Sequence, residues 1–346
     1  MKMKNVVESR LSSVDFNQLD FGKTFADYML TMDYDGQSWG EYTMEPLAPM
    51  SFHPGMSVFH YGQAIFEGLK AYKTADDRVN IFRLEDNLAR LNKSAERLMM
   101  PMIDVPQAIE TIKEFVRIQH DWVPTRDQGS LYIRPLMIST DDTLRAISSK
   151  GFKFIVIACP VGFYFNKPLR ILVNKEHKRA ATGGIGYAKA AGNYAASFYP
   201  TNLAKQQGYD QVLWTDITNN YTLEELGAAN FFYVKNGELY TPEMRDSILD
   251  GVTRKTLITL AKEAGLVVHE EMITADTFKA ELKSGEVDCM FATGTAAAIT
   301  FVNDLTIDEE SFHIKSNQYQ PVLQLLQDLD NCKFGLNNHP EWNIWV

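Results

Sequence analysis

Cysteine is scarce in this chain: Cys159, Cys289 and Cys332 are the only three in 346 residues, and no two form a CxxC pair. So sparse and odd a set excludes a disulfide framework and a thiolate zinc site. The seven histidines are scattered, with no HExxH pair, so no metal is expected. Basic residues are outnumbered, 34 against 44 acidic, giving a formal net charge of −10 with no dense run of Lys or Arg. Nucleic acid and anionic membrane surfaces are therefore not expected partners. Long apolar runs are missing too. The longest, FIVIACPVGFYF, is broken by Pro160 and Gly162 and is far too short to span a bilayer. The opening MKMKNVVESRLSSVDF lacks an apolar core of the secretory kind, which makes the cytoplasm the expected compartment.

What is present suits a globular protein of more than one core. Apolar residues make up 45% and aromatics 12% of the chain, and at this length two domains are the expectation. Short strands are expected at YTMEPLAPMSF and on both sides of Ala75-Asp76-Asp77, followed by helices marked by Leu88, Leu91, Ala95, Leu98 and by Ile109, Ile112, Phe115, Val116. SLYIRPLMIST and FKFIVIACPVG read as strands. The pattern breaks at Asn166, Lys167 and Pro168, so the connection is placed at residues 162–168, between a domain at 1–161 and another at 169–346. The second half mixes strands with helices: RILVNK, DQVLWTD, a hairpin at Asn236-Gly237, a helix over GVTRKTLITLAKEAG, then LVVHEEMI, a short helix and VDCMFATG. The class is α+β or α/β.

One stretch carries chemistry that its neighbours do not explain. TGGIGYAKAAGNY sets Lys189 among glycines, alanines and tyrosines. A phosphate loop GxxxxGK[ST] would need glycine at 188 and a hydroxyl at 190, where Ala188 and Ala190 stand. A GxGxxG fingerprint from Gly184 would need glycine at Lys189 itself. A lysine among small residues is either a surface residue of a glycine-rich loop or an amine whose burial favours the neutral, nucleophilic form. A flat pyridine aldehyde, pyridoxal 5′-phosphate, would need such a lysine, a carboxylate at its ring nitrogen, a donor at its ring hydroxyl and an anion site for its phosphate. Glu225 and, equally by chemistry alone, Glu224 qualify as the carboxylate, and Tyr194 as the donor. Helix starts present free N–H groups to anions, as DGVTRKT does at Val252 and Thr253. ATGTAAA, with Thr295, precedes small residues that read as another helix start. Arg83 adds a guanidinium at a strand-to-helix junction, where a surface pair with Glu85 or Asp86 is the competing reading.

Taken in order, HYGQAIFEGLKAY, IFRLEDNLARLNKSAERL, SLYIRPL, GGIGYAKAAGNYAAS, LEELGAANFF, SILDGVTRKTL and FATGTAAAI resemble the class IV pyridoxal-phosphate aminotransferases, above all their branched-chain amino acid members. The resemblance runs from about Phe21 to the tail HPEWNIWV. It implies a fold-type IV, two-domain enzyme: a smaller N-terminal α/β domain and a larger C-terminal domain with a β-barrel-like core flanked by helices, carrying the cofactor lysine. It implies Lys189 as the Schiff-base lysine, Glu225 rather than Glu224 at the ring nitrogen and Tyr194 at the ring hydroxyl. Arg83, Val252, Thr253 and Thr295 would hold the phosphate. The main chain at Thr295, Ala296 and Ala297 would receive the substrate carboxylate. The side-chain pocket would draw on Phe21, Phe66, Tyr132 and Tyr164, with Tyr61 and Arg134 at its polar edge. The implied substrates are L-leucine, L-isoleucine and L-valine with 2-oxoglutarate and L-glutamate, turned over by a homodimer. Sister activities on the same fold, D-amino acid aminotransferase and aminodeoxychorismate lyase, are the alternative. A noncatalytic phosphate-binding module is the rival of a different class.

Overall fold

A computed structural model describes residues 1–162, 167–218, 220–296, 298–336 and 338–346. The chain divides into two compact units. One comprises Met1–Tyr164, Ala188–Ala191 and Asn331–Val346, the other Phe165–Tyr187 and Gly192–Asp330. Residues 163–166, inside the expected connection, lie outside the described residues.

The first unit is a mixed sheet with helices. Its strands are β1 (Lys2–Met3), β2 (Tyr28–Tyr34), β3 (Thr43–Pro46), β4 (Ala64–Phe66), β5 (Leu69–Lys73), β6 (Val79–Phe82), β7 (Ser130–Ser139) and β8 (Phe152–Val161). They run in the order β1-β3-β2-β8-β7-β5-β6, with the tail strand Asn343–Trp345 beside β6 and β4 beside β7. That pairing with β6 is what draws the C-terminus into this unit. Helix α1 (Ser57–Tyr61) is short, whereas α2 (Leu84–Arg97) and α3 (Val105–Ile118) have the expected apolar spacing. Leu84, Leu88, Leu91 and Ala95 of α2 share one core with Ala108, Ile112, Phe115 and Val116 of α3 and with Leu30, Ile81, Leu131 and Phe154 of the sheet. Asp104 starts α3 by accepting from the Gln107 N–H at 2.8 Å, and Pro106 sits in the first turn. The expected hairpin turn joins β5 to β6, with Asp77 at φ 66°.

Within this core lies an ion pair with almost no access to water. Glu67 is 0% and Arg90 7% exposed. Arg90 donates from Nε and from a terminal nitrogen to the two Glu67 oxygens, both at 2.8 Å. The Gly68 N–H also donates to Glu67 at 3.2 Å. The pair ties α2 to the turn between β4 and β5.

The second unit is built on a barrel. Its strands are β9 (Leu169–Asn174), β10 (Gln211–Thr215), β11 (Leu223–Leu226), β12 (Ala229–Lys235), β13 (Glu238–Pro242), β14 (Val268–Glu271), β15 (Val287–Gly294), β16 (Ala298–Ile307) and β17 (Glu310–His313). Six of them close a ring, β9-β10-β11-β12-β15-β16, because β11 pairs with both β10 and β12 while β9 pairs with β16. Ile171, Leu213, Leu223, Phe231, Met290, Val302 and Leu305 belong to its core. The remaining helices are α4 (Ala191–Gln206), α5 (Val252–Glu263), α6 (Ala275–Ser284) and α7 (Gln320–Lys333). Asn236 and Gly237 both have positive φ, 49° and 79°, and turn β12 into β13 as expected.

One expectation is corrected here. The residues after Thr295 do not begin a helix: from Ala298 they form β16, which returns antiparallel along β15. The β-branched and aromatic run Ile299-Thr300-Phe301-Val302 outweighs the alanines before it. Among the described residues no helix is long and apolar enough to cross a membrane, and no three His, Cys, Asp or Glu side chains group as metal ligands.

Arg90→Met keeps a long apolar stem but leaves the Glu67 carboxylate buried without its partner. It is expected to lower stability in urea unfolding by about 3–5 kcal/mol. A loss below about 1 kcal/mol would rank the pair with ordinary surface ion pairs.

Candidate active site

Lys189 lies just before α4, in a segment that is neither helix nor continuous strand, yet its main chain is held on both sides. Its N–H donates to Ser94 Oγ at 2.9 Å, and its carbonyl accepts from the Phe66 N–H at 3.1 Å. The neighbouring Ala190 bridges to Ile65. These contacts place Lys189 in the first unit. The half-buried amine lies 4.9 Å from the centroid of the Phe66 ring.

Around that ring the first unit gathers most of the expected pocket. The Arg134 guanidinium lies 4.6 Å from the Phe66 centroid and 5.2 Å from that of Tyr132. Arg134 donates to the Tyr132 hydroxyl at 2.9 Å, while its buried Nε has no hydrogen-bond partner among the described residues. Phe21 packs edge-on against Tyr132 at 5.0 Å. Gly68 is required here, since a Cβ would strike the Tyr132 hydroxyl. Tyr61 has other partners: it is exposed, and its hydroxyl donates to the Leu144 carbonyl.

Arg83 adopts φ 54°, ψ 38° at the start of α2, a conformation that non-glycine residues seldom take. Its N–H donates to the Trp342 carbonyl at 2.7 Å, its own carbonyl accepts from Asn87 Nδ2 at 2.8 Å, and its guanidinium lies 4.8 Å from the Trp342 ring. It does pair with Asp86, at 2.7 Å. At 8% exposure, however, it is no surface arginine.

In the second unit Glu225 and Glu224 are both buried, and they differ in partners. Glu225 meets Arg179 at 2.5 Å and accepts from the Leu249 N–H at 3.0 Å and Asn230 Nδ2 at 3.3 Å. Glu224 accepts from the Ser247 hydroxyl on one oxygen, while its other oxygen is buried without a partner among the described residues, and burial pushes its carboxyl up. Arg179 also donates to the Ser247 carbonyl, and its Nε is a third buried atom lacking a partner.

Helix α5 starts at Val252 after Gly251, an N-cap residue that has no side chain to cap the first amides. A Cβ on Gly251 would strike Asn230 Oδ1, and one on Gly186 would strike the Ser247 main chain. The glycines of the Lys189 loop thus include one for close packing. Val252 is buried and Thr253 half-buried. Thr295 and Ala296 are half-buried in the turn from β15 to β16. Tyr194 is half-buried on α4. Tyr164 and Ala297 lie outside the described residues.

These groups fit a pyridoxal phosphate in chemistry. The first unit has a main-chain-anchored amine against an aromatic ring and a buried guanidinium; the second has a buried carboxylate paired with a guanidinium and a helix start after a glycine N-cap. Arg134 Nε in the first unit, and Arg179 Nε and Glu224 Oε2 in the second, are each buried polar atoms of the kind that a ligand completes. Gly68, Ser94 and Arg179 were not singled out from the sequence. The FEG triplet gives no local hint that its glycine faces a tyrosine far along the chain.

Beside this pocket Lys70 pairs across β5 with Tyr132, which in turn pairs with Cys159 on β8. Burial, then repulsion from Lys333, brings the Lys70 amine down to about 7. The unfolded chain therefore binds the extra proton between pH 7 and its ordinary value of 10.5, and stability rises across that window. Lys70→Met should raise the urea midpoint at pH 7 and raise it less at pH 10. An equal effect at both would show that Lys70 carries no such penalty.

The family pattern described as Amino-transferase class IV matches residues 64–305. The chain is 45% identical over 339 residues to Branched-chain-amino-acid transaminase 1 of Bacillus subtilis (strain 168), covering 96% of this chain and 95% of that one. The solved branched-chain amino acid aminotransferase from Escherichia coli has a TM-score of 0.72 at 26% identity, covering 92% of this chain and 98% of that one. The branched-chain amino acid aminotransferase from Thermobaculum terrenum, solved in its PLP form, reaches 0.74 at 22% identity, covering 92% and 98%. Matched along most of its length by the family pattern and at high identity by a curated relative, the chain belongs to the class IV aminotransferases.

Proposed function

We propose that the protein is a branched-chain amino acid transaminase that uses pyridoxal 5′-phosphate. It moves the amino group of L-leucine, L-isoleucine or L-valine reversibly to 2-oxoglutarate, giving the branched 2-oxo acid and L-glutamate. The observation that carries this reading is the cluster of Lys189, Phe66, Arg134, Tyr132 and Phe21. The enzyme must take an alkyl side chain in one half-reaction and a carboxylate in the other. Aromatic faces suit the first, and a single guanidinium among them suits the second.

When bound, the cofactor supplies an aldehyde that exchanges amines and a ring that accepts the electrons left on the substrate α-carbon. Lys189 would hold it through its amine, and the same Nζ, when free, would serve as general base and then general acid for the substrate α-proton. Glu225 keeps a proton at the ring nitrogen, and Tyr194 donates to the ring hydroxyl. Arg83, the amides of Val252 and Thr253, and Thr295 hold the phosphate. The main chain at Thr295, Ala296 and Ala297 receives the substrate α-carboxylate. Phe21, Phe66, Tyr132 and Tyr164 form the apolar walls, with Tyr61 and Arg134 as the polar edge. The protein works as a homodimer in the cytoplasm.

Steady-state kinetics test this reading. All three branched L-amino acids should react with 2-oxoglutarate. Their kcat/KM values should fall within about a hundredfold of one another, since one methylene changes binding by only about 1–3 kcal/mol. Arg134→Met should weaken kcat/KM for L-glutamate by about ten- to a hundredfold more than for L-leucine, the worth of a charged hydrogen bond. Turnover of D-alanine with none of L-leucine would transfer the protein to the D-amino acid branch of the fold. An equal loss on both substrates would remove Arg134 from the polar edge.

A further inference from the structure

We propose that Ser94 is a positioning residue for Lys189: from the interior of α2 it holds the lysine main-chain N–H and so fixes the direction in which the amine leaves the backbone. The inference rests on Lys189 being the cofactor lysine. Ser94 is 1% exposed, and its hydroxyl donates to the Arg90 carbonyl one turn back at 3.1 Å. A hydroxyl has one proton to give. With that proton spent on Arg90, the oxygen faces Lys189 as an acceptor, at 2.9 Å from its nitrogen. Serine inside a helix is ordinarily no better than neutral for stability. Here it does something alanine cannot.

The hold is rigid because both of its arms hang on the same buried ion pair. Ser94 follows Arg90 by one helical turn, and Phe66, whose N–H donates to the Lys189 carbonyl, immediately precedes Glu67. Arg90 and Glu67 are locked in two parallel hydrogen bonds at 2.8 Å, and the Glu67 N–H is itself fixed on the Pro135 carbonyl at 2.8 Å. The distance between the two arms is thereby set by a charged fork and not by the loop that carries the lysine. The lysine side chain has four rotatable bonds. Anchoring its peptide on both sides is what limits the volume its Nζ samples beside Phe66.

The test compares the parent, Ser94→Ala and Ser139→Ala as holoenzymes. Ser139 is a fully buried serine in the Ser57 hydrogen bond, outside the site, and serves as the control for lost polar packing. The readouts are the pH titration of the cofactor's absorbance, kcat and KM for L-leucine, and the urea midpoint. Ser94→Ala is expected to move the titration midpoint by about half a pH unit or more. It should also lower kcat about tenfold with KM little changed. Ser139→Ala should change the urea midpoint alone. A Ser94→Ala protein with the parent's titration and kcat would overturn the inference, as would the same changes in Ser139→Ala. A parent with no lysine-linked absorbance at all would overturn the functional reading and this inference together.

Discussion

A lysine proposed to bind a cofactor, release it and then carry a proton cannot be fixed by its own side chain, which has to stay mobile. The fixing has to be done at the peptide. Here the Lys189 peptide is gripped by Ser94 on one side and Phe66 on the other, and Ala190 bridges to Ile65. The grip depends in turn on the Glu67–Arg90 pair, which holds α2 against the turn after β4. A buried ion pair is seldom the most stabilising way to fill a core. Its merit here is directional: two parallel hydrogen bonds fix an angle, which apolar packing does less well.

The second unit meets a different demand, that of keeping negative and positive groups out of water. A closed six-strand ring places Glu225 on β11 directly across from Asn230 on β12. Asn230 joins the Leu249 carbonyl as well and leaves no room for a side chain at position 251. The same asparagine thus steadies the carboxylate and admits only glycine at the start of α5. That arrangement puts a residue without a side chain at the N-cap of the helix, where helix amides favour an anion.

The sequence was most legible where the chemistry is local. The apolar spacing of Leu84, Leu88, Leu91 and Ala95 marked α2, and Asn236-Gly237 marked its hairpin. Helix α4 went unread because Ala191, Gly192, Ala195, Ala196 and Pro200 give it no apolar stripe. The turn at Thr295 was misread as a helix start for the opposite reason, its alanines speaking louder than the strand residues behind them. Arg83 and Glu225 were nameable through ordered motifs, but the burial of Arg83 was not. The part played by Gly68 and Ser94 was out of reach, since each depends on a partner far along the chain, Tyr132 in one case and Lys189 in the other.

The central claim is that one amine, and not the protein's other lysines, carries the cofactor. Lys70, lowered to about 7 and set beside the same aromatic cluster, is the natural competitor. Borohydride reduction of the purified protein equilibrated with pyridoxal 5′-phosphate, followed by peptide mapping, separates them. The account predicts a single phosphopyridoxyl group on the peptide containing Lys189. A label on Lys70, or one spread over surface lysines with Lys189 unmodified, would contradict it.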